Sequence, residues 1–483
     1  MQSFRSPAIG ALLIGLVLPQ FAGMSSAAEL DKYGGTTAVK GKATGFFHVE
    51  EIDGRNWFIT PEGNAFFAVG LSHMLSGESD LACQNVYGGD ADAWLKGSFE
   101  KAREMGFNCA LGSATSPERN LNGFVDVQEA EKLFREANFP FAVGVILLKH
   151  PWEFVDGETL PDIFHPDYEQ LIRERAALVC DQYKDDPLCM GYYYGFGAFN
   201  QSDQWVNHHF SLPAGSPGRE VLSDLLIKRY SNDVKRFNSV YGTTLKDMSE
   251  LKSTFELTYE KEYERRNYPR VGASLDKQKL ADFEAIVSHM CVTLYRTGHD
   301  SIRRWDKNHL ILGSFIKEWA LSIDSWKKVA PFVDMIAPQH VNEFISVSDF
   351  ADATNLPIIF SDEYFGFHYP GKKGSLHAGL ISHEARGEVY HANLMRHFKD
   401  PQVIGVTYCA CMYDQGGNTL AKNNQNGFYS LDGEPREELI EVVTELNGAV
   451  YQHAKKPASP EELEGLHTEL FGKWKEHSVR RGR

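Results

Sequence analysis

The sequence is short of the features that mark metal, nucleotide or esterase chemistry. It has no HExxH segment and no CxxC pair, and the neighbouring His208 and His209 are its nearest approach to a metal-binding pair. Gly195-Phe196-Gly197 lacks the third glycine of a dinucleotide loop, no Walker lysine is present, and no GxSxG elbow would carry a nucleophilic serine. No cofactor and no bound metal are therefore expected. Basic residues are outnumbered, 49 Lys and Arg against 65 Asp and Glu in 483 residues, and the net charge of −16 argues against nucleic acid as a partner. Cysteine is sparse, with seven in all, and Cys109 and Cys409 sit in apolar runs where a free thiol acts as a small hydrophobe. Cys180 and Cys189, nine residues apart, are the one candidate local disulfide.

Long apolar runs are also missing. Ala8 to Leu18 is too short for a membrane span of about 20 residues. It follows Arg5 and precedes the small residues Ser26-Ala27-Ala28, the pattern of an export leader. Residues 1–28 are read as a signal peptide, which makes the mature protein secreted or periplasmic. Their removal takes away Arg5 and no acid, leaving a net charge of −17.

The rest alternates between helical sequence and short apolar runs. After a β-meander with turns at Asp53-Gly54 and Pro61-Glu62-Gly63 come eight strand candidates: Ala65–Leu71, Asn108–Leu111, Phe141–Leu148, Met190–Phe196, His309–Phe315, Val333–Ala337, Pro357–Phe360 and Val403–Cys409. Helical sequence between successive strands predicts an α/β fold, a (β/α)₈ TIM barrel over residues 29–456. Over a hundred residues separate the fourth run from the fifth, so a helical insertion follows strand four. Residues 457–483 read as a polar tail, helix-forming to about Glu476 and basic at Arg480-Arg481-Gly482-Arg483, solvated or frayed.

Barrel sites form at the C-terminal ends of the strands. Strand seven ends in Asp362-Glu363 between Phe360 and Tyr364, an aromatic setting that suits a carboxylate in a cleft better than one on the surface. Strand four is followed by Asn200-Gln201, with Asp203 the nearest carboxylate and Trp205 close behind. His73 after strand one, His340 and Asn342 after strand six, Tyr364 after strand seven, and Tyr408 and Asp414 after strand eight complete a polar, aromatic rim. Such a rim suits a pyranose, whose C–H face stacks while its hydroxyls are hydrogen-bonded.

At these residues the chain resembles the glycoside hydrolase family 50 agarases, within clan A of the retaining hydrolases. DGRNWFITPEGNAFFAVGLSHM (53–74), LPDIFHPDY (160–168), RYSNDVKRFNSVYGTTLKDMSEL (229–251), NHLILGSF (308–315), VIGVTYCACMYDQG (403–416) and NNQNGFYSLDGEPREELIEVV (423–443) carry the resemblance in order. It implies retaining hydrolysis of a β-linked galactan-like polysaccharide, with a Glu after strand seven as nucleophile and the Glu of an Asn-Glu pair after strand four as acid/base. Glu363 matches the nucleophile, whereas counting from Pro357 selects Asp362. The acid/base Glu is replaced. Gln201 takes its place if Asn200 and Trp205 are kept as neighbours, and Gly197 if no gap is allowed. The family's strand-five Arg and strand-eight Trp are also replaced, near Phe315-Ile316 and by Tyr408. The alternatives are a catalytically inactive glycan-binding protein of the same fold and, with less support, a lyase acting on an acidic sugar.

Overall fold

The structure, a computed structural model, describes residues 29–72, 80–111, 127–148, 160–196, 201–317, 320–366, 379–409, 412–414 and 427–478. The leader, His73, Gly197, Asn200 and the basic end 480–483 lie outside the described residues.

The meander forms a four-stranded antiparallel sheet of β1 (Thr36–Lys40), β2 (His48–Ile52), β3 (Arg55–Ile59) and β4 (Asn64–Phe66), in the order β1-β4-β3-β2. Asp53 and Gly54 link β2 to β3 with φ of 52° and 76°, the left-handed pair that a two-residue hairpin turn requires. The run Ala65–Leu71, expected as one strand, is divided. Its first half is β4 and its second is β5 (Ala68–Leu71), which belongs to a different, parallel sheet. Asn108 holds the crossing point: its Oδ1 accepts from Val69 N at 2.8 Å and its Nδ2 donates to Phe67 O at 2.9 Å.

The remaining strands are all parallel. They form two sheets, β5-β10-β9 and β6-β7-β8, from β6 (Phe141–Gly144), β7 (Cys189–Phe196), β8 (Leu310–Phe315), β9 (Ile358–Glu363) and β10 (Val403–Tyr408). Single parallel bridges link them further, Gly70 to Cys109, Ala110 to Phe141, Ile316 to Pro338 and Ile336 to Ile358. The apolar runs thus pair in sequence order, and the last pairs with the first. Short strands buried on every residue, such as β5, β6, β8, β9 and β10, are what apolar segments covered on both faces become.

The expected insertion between β7 and β8 is present and helical, from Ser202–Ser211 through Pro217–Arg229 and Val234–Tyr241 to the 27-residue helix Lys277–Arg303. Cys180 and Cys189 are both free and buried, so the candidate disulfide is not formed. The solvated tail is corrected as well. Ser459 and Glu462 make a capping box that starts the helix Pro460–His477, which packs on the helix His383–Lys399 with Leu470 buried. Its Lys475 pairs with Glu343 at 2.5 Å and its His477 with Glu388 at 3.2 Å. Among the described residues no helix is long and apolar enough to cross a membrane.

Candidate active site

Strand seven of the sequence reading is β9, and its end is irregular. Val406 of β10 faces Phe360 and Tyr408 faces Glu363, so Thr407 alone stands opposite both Ser361 and Asp362. This is a β-bulge, a device that re-aims side chains. Asp362 carries a φ of 67°, a left-handed conformation that costs a non-glycine residue roughly 1–3 kcal/mol and is found preferentially at functional sites.

The bulge sends the two carboxylates to opposite sides. Phe360 packs 4.2 Å from the ring of His397, on the helix His383–Lys399, and Glu363 Oε1 lies 3.2 Å from His397 Nε2. Both side chains therefore leave β9 on the helix side. Tyr408 faces the same helix, accepting from Arg386 Nη2 at 2.9 Å, so the alternate Thr407 faces away from it. Thr407 Oγ1 accepts from Asp362 N at 3.0 Å and lies 2.8 Å from Ser72 Oγ, after β5. Asp362, 9% exposed, accepts from Gln339 Nε2 at 3.3 Å on this inner side.

Glu363, 4% exposed, is held by three neighbours. Oε1 accepts from Val341 N at 3.1 Å as well as from His397, and Oε2 lies 3.9 Å from His340 Nδ1. Burial pushes the His397 pKa well below its usual 6.5, with Arg396 adding to the effect, so its ring is neutral and Nε2 carries the proton given to Glu363. Glu363 also lines a cavity of about 350 Å³ with His340 and Tyr364, as expected from the sequence. Phe471, Trp474 and Lys475 of the C-terminal helix form its other wall.

At the end of β7, Gln201 is the N-cap of the helix Ser202–Ser211 but makes no side-chain cap bond, and its buried Oε1 has no hydrogen-bond partner among the described residues. Asp203 is 6% exposed and its Oδ1 is likewise unpartnered. Burial raises the Asp203 pKa from its ordinary value, against a lowering by neighbouring backbone N–H groups. Glu264, carried in by the insertion, is also 6% exposed, and its pKa is raised first by burial and then by Asp203.

Several rim residues expected to meet substrate are instead engaged in packing. Trp205, buried, stacks at a tilt 5.9 Å from His209 inside the insertion and presents no open face. Tyr408 is stacked on Phe365 at 5.0 Å, and Asp414 pairs with Arg436 at 3.0 Å, its pKa raised by burial. Asn342 holds its own loop, donating to Tyr268 Oη at 2.8 Å and accepting from Phe344 N and Ile345 N at 2.8 and 3.1 Å. His340 and Tyr364 remain on the cavity wall. His397, Gln339, Glu264 and Trp474 were not anticipated. His397, Glu264 and Trp474 lie on helices or in the insertion, away from the strand ends to which the sequence pattern directs attention, whereas Gln339 stands at the end of strand six beside His340.

No family model matches the chain. β-Agarase B of Vibrio sp. (strain JT0107) is 21% identical over 509 aligned positions, covering 87% of this chain and 50% of the relative, so the chain spans about half the length of that curated protein. Among solved structures, an exo-β-agarase superposes with a TM-score of 0.68 at 17% identity, over 88% of this chain and 68% of the other. The agarase AgWH50C gives 0.65 at 17%, over 88% and 68%. The likeness to agarases read from the sequence is thereby borne out, and the shared α/β fold with it.

Proposed function

We propose that the protein is an agarase-like glycoside hydrolase that cleaves a β-linked galactan by a two-step retaining route, with Asp362 as nucleophile. The fold would be a closed (β/α)₈ barrel, a reading supported by parallel pairings that run through eight segments and return to β5. Residues 1–28 would be the export leader that brings the enzyme to an extracellular polysaccharide.

One observation carries the choice of nucleophile. The bulge turns Glu363 toward His397 and leaves Asp362 on the side away from the helices, where a barrel enzyme binds its substrate. Asp362 attacks the anomeric carbon, forming a glycosyl ester as the C–O bond to the leaving sugar breaks; water then hydrolyses the ester with retention. Gln339 Nε2 holds the carboxylate oxygen in place before attack. Glu363 anchors the loop through Val341 N.

Reducing-sugar release from agarose and from a panel of other algal and plant galactans tests the reading. The wild type is expected to release reducing ends from at least one β-galactan, and Asp362→Asn to lose roughly 10³-fold or more in kcat. No release from any polysaccharide, with oligosaccharide binding retained, would make the protein a glycan-binding relative instead.

A further inference from the structure

Two buried arginines share one buried carboxylate. Arg396, on the helix His383–Lys399, is 9% exposed, Arg55 of β3 is 2% exposed, and both interact with Asp400, which is itself buried. Arg55 is otherwise well placed, donating from Nη1 to Phe398 O at 2.9 Å and from Nη2 to Val403 O at 2.8 Å. Burial lowers its pKa to about 10, with Asp400 acting against this, so it is charged at neutral pH. Arg396 has no such support. Its Nη1 stands 3.8 Å from Asp400 Oδ2, beyond hydrogen-bond reach, and neither Nη1 nor Nε has a hydrogen-bond partner among the described residues. These three groups leave one positive charge in excess, on a guanidinium with unused donors, which is strongly unfavourable unless an anion meets it.

Arg396 borders a cavity of about 350 Å³ between residues 341–348, the helix His383–Lys399 and the first turns of the helix Pro460–His477. Phe360 of β9 closes one side, its ring 6.0 Å from the guanidinium carbon. The wall is rich in donors. Ser346 caps the helix Val347–Thr354, its Oγ accepting from Asp349 N at 3.4 Å, which leaves the hydroxyl proton for another acceptor. Val347 and Ser348 also line the cavity, and the first N–H groups of a helix have no acceptor within it, at the end where its dipole favours negative charge. His467 stands on the wall from the C-terminal helix; burial lowers its pKa and Arg396 lowers it further, so the neutral ring has one N–H to give. Of the acids on the wall, Glu343 pairs with Lys475 at 2.5 Å, and Glu464 is exposed, where water and salt screen it.

We infer that this cavity binds a tetrahedral oxyanion of the sulfate or phosphate type, held by Arg396, Ser346 and the first turn of the helix Val347–Thr354. Such an ion offers acceptors to the unused guanidinium N–H groups and cancels the excess charge beside Asp400. The planar fork of arginine matches two oxygens of one oxyanion, which neither chloride nor a single water supplies. A water's share of liquid volume is about 30 Å³, so the space takes the ion with part of its hydration. The site is separate from Asp362, because Phe360 leaves β9 on the helix side. Its occupant braces residues 341–348, just beyond Gln339, which holds the Asp362 carboxylate. The inference concerns stability and stands whether or not the protein cleaves a glycan.

Calorimetric titration with sodium sulfate, and separately with sodium phosphate, in chloride buffer of equal ionic strength tests the site, with thermal midpoints measured over the same series. The wild type is expected to bind one ion per chain and to gain stability along a saturation curve; at ten times the dissociation constant the unfolding equilibrium falls about 11-fold. Saturable binding of either ion supports the site. Arg396→Met, which keeps the length of the side chain and removes the charge, is expected to lose both the binding heat and the saturable rise, and Ser346→Ala to bind roughly 5–10-fold more weakly. A rise that does not saturate and is equal in wild type and Arg396→Met is the general effect of sulfate on burial and overturns the site, as does a wild type with no saturable response to either ion. If Arg396→Met does not fold, crystals of the wild type soaked in selenate decide. An anomalous peak beside Arg396 supports the site; selenate found elsewhere only, or not at all, refutes it.

Discussion

His397 Nε2 lies 3.2 Å from Glu363 Oε1, and the same imidazole packs 4.2 Å from the Phe360 ring. A single buried, neutral side chain thus fixes two residues of β9 that ordinary strand alternation would place on opposite faces. Glu363 is in this account a residue of support. His397→Ala removes a donor from a buried carboxylate and is expected to cost about 1–3 kcal/mol of stability, read as a shift in the denaturant midpoint with an unchanged slope.

Stability should fall on the acid side because several histidines are buried in the neutral form. Burial lowers His209 to about 4 and, with Arg386 and Arg436, lowers His383 to about 3, while His397 lies well below 6.5. In the unfolded chain all three titrate near ~6.5. Between about pH 6.5 and 4 the unfolded chain therefore binds protons that the folded one does not, and each histidine removes up to about 1.4 kcal/mol per pH unit. Above pH 7 the contribution vanishes. Thermal midpoints measured from pH 8 to 4.5 should be flat and then fall, with a shallower fall in His209→Gln; a midpoint independent of pH across that range would contradict this.

Asn108 bonds the chain on either side of Ala68, where it leaves the N-terminal sheet for β5. Asn108→Ala orphans Val69 N and Phe67 O together and should cost about 2 kcal/mol or more, whereas Asn108→Asp, keeping the acceptor, should cost less. The comparison is made by chemical denaturation.

The parallel strands were legible because each is a buried apolar run bounded by helical sequence, and strands buried on both faces read that way. The split of Ala65–Leu71 was not, since nothing in AFFAVGL punctuates the change of sheet; the cause is an amide 39 residues further on. The bulge was equally silent. IIFSDE contains no glycine at the left-handed position, so Asp362 and Glu363 read as one cluster when they face opposite ways. The helix-forming character of the tail was legible, but the Ser459–Glu462 cap was not singled out, and the docking of Pro460–His477 depends on tertiary contacts that its polar sequence hides. Trp205 and Tyr408 were placed at the correct strand ends, and packing within the insertion and against the helix His383–Lys399 explains why their rings are already occupied.

The most direct test of the central claim is trapping of the glycosyl-enzyme. Incubation with a 2-deoxy-2-fluoro-galactosyl donor slows both steps and leaves the covalent ester to accumulate, and digestion with mass spectrometry locates it. The account predicts one labelled peptide with the sugar on Asp362, and no label in Asp362→Asn. A sugar on Glu363, with Glu363→Gln unlabelled, would contradict it.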